Sequence, residues 1–361
     1  MPHPPVDRTE LILREPKLYS AFWRLALPVC GANLLKALHD LVDTYFIGQL
    51  PDSVSAQAGI SISWPLINIL MSFMGGLAIA GVAVISQLIG ARRREEARRF
   101  SGVTFILALA FGVVINALLY FITPWVMRLM GAEGAVYDCA LTYAQTRSFE
   151  MVFLFIFAAF QCIRQARGDT LTPVILSVIA VVINIVLTAV FVRVFDMGVF
   201  GAALATLIGN AAVAPVCVWM LFRRGDDLSL RVQDLRPRMG ELRQLVKVAI
   251  PSAGSQALSS LGFLILQGFI LDYGAHVAAA FSIGNRISNL LLIPVMALGS
   301  VMAAFVGQNI GALNPERARR SYTAGRNIGL IVTLAGCVVI FLLRPGLVAL
   351  LSNDSLTQAT A

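Results

Sequence analysis

Charged residues are scarce in this chain. Asp, Glu, Lys and Arg make up only 13% of its 361 residues, whereas hydrophobic residues make up 58%. Soluble globular proteins carry about 25% charged and about 45–50% apolar residues. Both departures point away from a soluble protein and towards one embedded in a membrane.

Cysteine and histidine are also sparse. The five cysteines are scattered singly with no CxxC pair, so we expect neither a disulfide framework nor a metal site. The three histidines are His3, His39 and His276, and no HExxH or GxSG motif occurs. An intramembrane enzyme would need metal ligands or a nucleophile with its base. We therefore predict no enzyme and no cofactor.

Long apolar segments dominate what is present. A helix of about 20 apolar residues crosses the hydrocarbon core of a bilayer. Nine segments meet this length and are called spans 1 to 9: residues 22–48, 60–90, 101–127, 139–163, 171–195, 199–222, 245–271, 277–307 and 322–343.

Basic residues follow the connections between spans in alternation. Of the 28 lysines and arginines, 22 lie in the amino-terminal arm or in the connections that enter the odd-numbered spans. Basic connections stay on the cytoplasmic side, so we predict a multi-pass protein of the inner (plasma) membrane with a cytoplasmic amino terminus. The lipid bilayer is then the partner that the positive charge implies, and no nucleic acid is expected.

An internal repeat relates the start of the chain to its end. Residues 86–99 read SQLIGARRREEARR and residues 307–320 read GQNIGALNPERARR, with eight of 14 positions identical at an offset of 221. WRLALP, ending at Pro28, similarly matches VKVAIP, ending at Pro251. Spans 1–3 therefore resemble spans 7–9 in the same orientation. A parallel repeat of this kind indicates two lobes around a site, as in transporters.

The predicted fold class follows from the repeat. It is an all-α polytopic membrane protein, a two-lobed helical bundle with helices 1–6 in one lobe and 7–12 in the other. Residue 361 aligns with residue 140, so we expect the second lobe to be incomplete here, with the chain truncated after about nine of twelve helices. The predicted domains are a cytoplasmic arm (1–20), a first six-helix lobe (21–223), a basic cytoplasmic linker (224–243) and a partial second lobe (244–361).

Four ionisable residues interrupt span 1 in the stretch LLKALHDLVDTYFIG. Lys36, His39, Asp40 and Asp43 fall within an arc of about 100° on a helix. A charge that faces lipid costs about 2.5–3.5 kcal/mol, so this face must line a protein interior or a wet cavity. One interpretation is a carboxylate that binds a proton or a cation. The other is a static Lys36–Asp40 pair, with Asp43 held by His39.

Seven motifs in order give the chain a family resemblance. They are ALP, LVDTYFIG, SQLIGA, RQARGDTLTP, VINIVL, GVFGAALAT and GNRISNLLLIPVMALGSVMAAFVGQNIGA. The chain resembles the multidrug and toxic compound extrusion (MATE) family across nearly all of its length. The resemblance implies twelve helices in two six-helix lobes. It also implies a monomeric secondary antiporter that exports small-molecule organic cations and drugs in exchange for protons or sodium.

The resemblance also implies a coupling site in the first lobe. Asp43 occupies the position of the family's helix-1 acid, and Pro28 the position of a proline where that helix bends. Thr188 stands where proton-coupled members often carry a second aspartate, which puts a two-carboxylate relay in doubt. The predicted proton- or cation-coupling residues are Asp43, Asp40, Asn184, Thr188, Tyr143 and Thr206.

Other features bear on the coupling ion and on competing functions. Span 7 offers Gln256, Ser259 and Ser260 but no acid, which disfavours a carboxylate sodium site there; Asn285 and Arg286 in span 8 are assigned to packing or gating. A related lipid-linked sugar flippase would need several cations for pyrophosphate, and we count only Lys36 and Arg286 inside the membrane. An inactive truncated remnant remains a further alternative.

Overall fold

The computed structural model describes residues 8–223, 228–271 and 275–351. Some side chains within these helices lie outside the description, among them those of Asp40, His276 and Arg286. The predictions for Asp40 and Arg286 concern these side chains and therefore fall outside the description.

Ten α-helices make up most of the described chain. They are α1 (Arg8–Arg14), α2 (Leu18–Gly48), α3 (Ser53–Gly90), α4 (Arg94–Leu129), α5 (Gly134–Ala166), α6 (Leu171–Arg193), α7 (Gly198–Phe222), α8 (Met239–Leu271), α9 (Ala275–Gly311) and α10 (Pro315–Leu351). A short 3₁₀ helix, Val232–Leu235, precedes α8. Within the described ranges there is no strand, which confirms the all-α prediction.

The nine long helices α2–α10 coincide with the nine predicted spans. Among the described residues, eight helices are long and apolar enough to cross a membrane, and α8 is not one of the eight. Several helices begin before the predicted span because the apolar count measures only the hydrocarbon crossing. Their polar first turns, such as Arg94–Glu96 of α4, extend beyond it.

The internal repeat is visible in the backbone as well as in the sequence. After α3, Arg92 has a φ of 58°, and after α9, Leu313 has a φ of 55°; the two positions are 221 residues apart. Each turn closes with the same three backbone hydrogen bonds, for example Ala91 N–H to Gln87 O and Ala312 N–H to Gln308 O, both 2.9 Å. Such bonds satisfy the last carbonyls of a helix. The second helix of each copy, α3 or α9, therefore ends with the same turn.

The ends of α3 and α9 pack against each other reciprocally. A Cβ at Gly90 would overlap the backbone carbonyl oxygen of Gln308, and a Cβ at Gly311 would overlap that of Gln87. In each pair, one residue belongs to the first copy of the repeated motif and the other belongs to the second copy. Only glycine permits this approach, so the repeat meets itself at an interface between the lobes.

Helix α2 divides its contacts between the two lobes. Near its start, Phe22 stacks on Phe305 of α9 with ring centroids 4.4 Å apart, in a small core that also includes Ile12 of α1. Further along, α2 packs against α6. Pro28 lies between the two regions and α2 continues through it. The helix that carries Asp43 thus touches both lobes.

The described part of the predicted linker is docked onto the first lobe. Leu228, Leu230 and Asp234 are buried, and the Asp234 carboxylate accepts a hydrogen bond of 2.8 Å from Arg98 of α4. From Leu228 to Leu235, this segment is therefore part of the packed structure.

Candidate functional site

The polar face of α2 meets α6 in a buried hydrogen-bonded cluster. His39 Nε2 lies 2.5 Å from Asn184 Oδ1 and 3.4 Å from Asp43 Oδ2. Because a carbonyl oxygen can only accept, we place the ring proton on Nε2. Thr188 Oγ1 lies 3.3 Å from Asp43 Oδ1 and 3.5 Å from Asn184 Oδ1, and its single proton can serve one of them at a time.

The cluster continues from α6 to α7. Asn184 Nδ2 donates to Thr206 Oγ1 over 2.9 Å, and the Thr206 hydroxyl in turn donates to Ala202 O over 3.0 Å. Asn184 and Thr188 reach the cluster together because residues four apart share one face of a helix. Three helices, α2, α6 and α7, are thereby joined through side chains.

The structure brings together four of the predicted coupling residues: Asp43, Asn184, Thr188 and Thr206. The side chain of Asp43 is 18% exposed, and Asn184, Thr188 and Thr206 are buried. The Tyr143 hydroxyl instead accepts a hydrogen bond of 3.4 Å from Arg147. Pro28 lies about 22 Å from Asp43 along α2, at about 1.5 Å per residue, so it acts on the site only through the helix.

Sequence reasoning missed a buried ion pair on α5. Arg147 Nε lies 2.7 Å from Glu150 Oε2, and the two side chains are only 9% and 2% exposed. Asn210 of α7 donates to Glu150 Oε1 over 2.9 Å and to Thr206 O over 3.1 Å. The pair could have been found in the sequence, because two opposite charges three residues apart sit inside the apolar span 139–163.

Arg147 also corrects the predicted number of membrane-interior cations. The count of only Lys36 and Arg286 was wrong, since Arg147 lies within α5. Its guanidinium lies 6.0 Å from the ring centroid of Trp64 and 5.6 Å from that of Tyr143. Carboxylate and aromatic rings together hold the guanidinium in a fixed place.

The two carboxylates lie at different depths. Glu150 is the middle residue of α5 (Gly134–Ala166), and Asn210 is the middle residue of α7 (Gly198–Phe222). Asp43 and Thr188 are each five residues before the ends of their helices, at Gly48 and Arg193. If the helices cross the bilayer, Glu150 is near its midplane and Asp43 is nearer to the sparsely charged side.

No cluster of metal ligands occurs in the part of the chain that the structure describes. In those residues no group of three or more His, Cys, Asp or Glu side chains could hold a metal ion. On α8, the hydroxyls of Ser259 and Ser260 donate to backbone oxygens of their own helix. These α8 hydroxyls are thus already used within the helix.

A separate small cavity lies between α3, α4 and α8. It has a volume of about 60 Å³ and is lined by apolar residues that include Phe73, Leu107 and Ile250. Binding sites for drug-sized ligands measure about 300–1,000 Å³. The ionisable cluster, and not this cavity, is therefore the candidate site.

These features define the class of protein. A multi-pass helical bundle with a parallel repeat and buried ionisable groups between its helices has the architecture of a membrane transporter. The MatE family model matches residues 28–190 and 251–361, which is more than half of the chain. The chain belongs to the MatE family of transporters. The two matches begin at Pro28 and Pro251, the pair that the sequence repeat aligns.

Relatives of similar sequence carry multidrug names. The chain is 26% identical over 344 residues to the probable multidrug resistance protein YoeA of Bacillus subtilis, covering 92% of this chain and 74% of the relative. It is 25% identical over 345 residues to the probable multidrug resistance protein NorM of Thermotoga maritima, covering 94% and 73%. It thus spans about three quarters of each.

Solved structures share the fold. A MOP superfamily transporter from Pyrococcus furiosus superposes with a TM-score of 0.91 at 24% identity, covering 99% of this chain and 78% of that one. A MATE crystal structure described as the straight conformation gives a TM-score of 0.92 at 23% identity, covering 99% and 79%. The predicted two-lobed bundle is confirmed by these matches.

Proposed function

We propose that the protein is a secondary antiporter that exports organic cations, including drugs, in exchange for protons. Family membership supports transport, and the names of the relatives support multidrug export. The observation that carries the proposal is Asp43, a membrane-interior carboxylate in contact with His39 and Thr188. Ionisable groups within membrane helices are rare and mark ion or substrate pathways.

Asp43 meets the chemical requirement of exchange. Proton and cationic drug must exclude each other at one site. An ionised carboxylate attracts a cation, whereas the protonated carboxyl is neutral and releases it. The driving force is adequate, since one charge gains about 2.3 kcal/mol per 100 mV and a tenfold proton gradient adds about 1.4 kcal/mol.

The position of α2 offers a route from proton binding to lobe movement. Protonation of Asp43 changes its contacts with Thr188 on α6, within the first lobe. The other end of the same helix is held by Phe22 against Phe305 of α9. A helix joined to both lobes, with Pro28 between the contacts, can convert a change at Asp43 into a change in lobe packing. This is the proposed role of the Pro28 bend.

The remaining parts of the proposal concern setting and competitors. We infer a cytoplasmic amino terminus from the basic connections, and a plasma (inner) membrane location and a monomer from the resemblance. Sodium remains the alternative coupling ion. For the flippase alternative, Arg147 adds a third interior cation, but it is paired with Glu150. The pairing leaves that alternative with less support than antiport.

The proposal is tested with purified protein in proteoliposomes that contain a pH-sensitive dye. An outward proton gradient, with an acidic lumen, is imposed without sodium, and a fluorescent organic cation is added outside. Cation-dependent proton movement and gradient-driven accumulation are expected. In a parallel run with a sodium gradient, cation exchange that requires sodium and leaves the proton gradient intact would replace protons with sodium. Absence of cation movement in both runs would contradict the function.

A further inference from the structure

Glu150 and Arg147 form a buried ion pair that the coupling site, as defined by Asp43, does not use. A pair of this kind is weak support for stability, because well-packed apolar residues of similar volume often do as well or better. Inside a membrane the cost of ionised side chains is higher still. Their presence at the middle of α5, with side chains 2% and 9% exposed, therefore calls for a role other than stability.

Glu150 is connected to Asp43 by consecutive polar contacts, one of which uses a backbone carbonyl oxygen. From Asp43, the links run through Thr188 to Asn184, from Asn184 to Thr206, and from the Thr206 backbone through Asn210 to Glu150. Amide side chains have no proton to lose at ordinary pH. The links therefore fix positions, and communication between the two carboxylates is electrostatic.

The surroundings of Glu150 contain both signs of charge. On its own helix Arg147 faces it, and from α2 the charged or titratable groups whose fields reach it are Lys36, His39 and Asp43. From α7 Asn210 donates a hydrogen bond. Glu150 is thus within reach of the charges of Asp43 and His39, which belong to the cluster on α2, as well as that of Lys36.

We propose that Glu150 is a second coupling carboxylate, whose protonation makes the site more positive by one charge and so opposes cation binding at Asp43. While Glu150 is ionised, its charge and that of Arg147 cancel. When it takes up a proton, the net charge of the site rises by one, and an organic cation is repelled. Thr188 of α6, which stands where other members often carry a second aspartate, cannot titrate. In this protein the second titratable acid is then Glu150 on α5.

The proposal rests on the proposed antiport and deepens it. With one carboxylate, proton binding changes the charge of the site by one; with two, it changes by two. A monovalent cation that displaces both protons makes the exchange electrogenic, because two charges move inward for one that moves outward. The membrane potential then drives export in addition to the proton gradient.

The first test requires no transport. Infrared spectra of the purified protein are recorded in detergent during a pH titration for wild type and for the double variant Glu150→Gln/Arg147→Gln, which removes both charges of the pair. We expect a protonated-carboxyl band in wild type that the double variant lacks, and a shift of its midpoint in Asp43→Asn. If wild type lacks this band at every pH at which the protein stays folded, Glu150 and Arg147 are a permanently ionised structural pair, and the proposal is overturned.

A control and a transport measurement complete the test. Arg98→Gln/Asp234→Asn removes another buried ion pair, outside the transport cluster, and should leave the band unchanged. In proteoliposomes, wild type should exchange about two protons per monovalent cation and the Glu150 double variant about one; an unchanged ratio would contradict the proposal. If wild type moves no cation, the antiport proposal fails, while the infrared titration still decides the state of Glu150.

Discussion

Gly90 of α3 lies directly against the backbone of Gln308 in α9, and the repeat-related pair Gly311 and Gln87 makes the same contact. The sequence offset of 221 residues that relates Gln87 to Gln308 also relates Gly90 to Gly311. The two contacts are thus one interaction made twice around the axis that relates the lobes. Both are at helix ends next to basic connections, so this interface lies on the side predicted to be cytoplasmic.

Adding a methyl group at this interface should loosen it. Gly90→Ala or Gly311→Ala forces a Cβ into a carbonyl oxygen, and overpacking of this kind costs about 1–3 kcal/mol. Gly299→Ala is the matched control in α9, because nothing lies within 4 Å of its added Cβ, and it should be neutral or stabilising by up to about 1 kcal/mol. Thermal unfolding in detergent measures all three. Equal melting temperatures for Gly311→Ala and Gly299→Ala would contradict the close contact.

The orientation of the chain can be read by cysteine labelling. In a background without the five native cysteines, Val54→Cys lies in the first turn of α3 and Ala91→Cys in the basic connection, and both positions are exposed. Intact cells treated with an impermeant thiol reagent should label position 54 and not position 91, because the basic side is cytoplasmic. The reverse pattern would invert the topology.

The hydroxyl of Thr188 should tune the coupling site without being essential. Thr188→Val keeps the shape of the side chain but removes the donor to Asp43. Loss of one such bond costs about 1 kcal/mol, so cation-driven proton release should fall about fivefold. Thr188→Ser retains the hydroxyl and should stay near wild type. Equal activity of the valine and serine variants would show that the hydrogen bond has no part in exchange.

The fold was largely predictable because apolar length and basic alternation are direct consequences of the bilayer. All nine long helices follow from apolar runs. The repeated motif showed that Gly90 and Gly311 are equivalent positions, but it did not predict that the two copies contact each other. The docking of residues 228–235 on α4 was not predicted either, since the Arg98–Asp234 contact joins residues 136 positions apart. A segment rich in charged residues is interpreted from sequence as a solvated connection, because its distant partners are not visible there.

The site was predictable only in part. Four residues were found because they lie in or next to recognisable motifs, and the structure brings them together: Asp43, Asn184, Thr188 and Thr206. Glu150 and Arg147 were overlooked because they belong to no such motif, although their charges inside an apolar span mark them. Their connection with Asn210 of α7 depends on how α5 and α7 pack, and no spacing along the chain encodes it.

The most direct test of the central claim is drug-induced proton release from proteoliposomes that contain Asp43→Asn. This change keeps the size of the side chain and removes its titration, so we expect a folded, inserted protein without proton-driven exchange. Asp138→Asn, at an exposed position of α5, should match wild type, and Asp40→Asn should have a milder effect. Wild-type exchange in Asp43→Asn together with its loss in Asp40→Asn would assign coupling to the other acid of α2. Wild-type exchange in both variants would contradict the claim that this helix carries the coupling site.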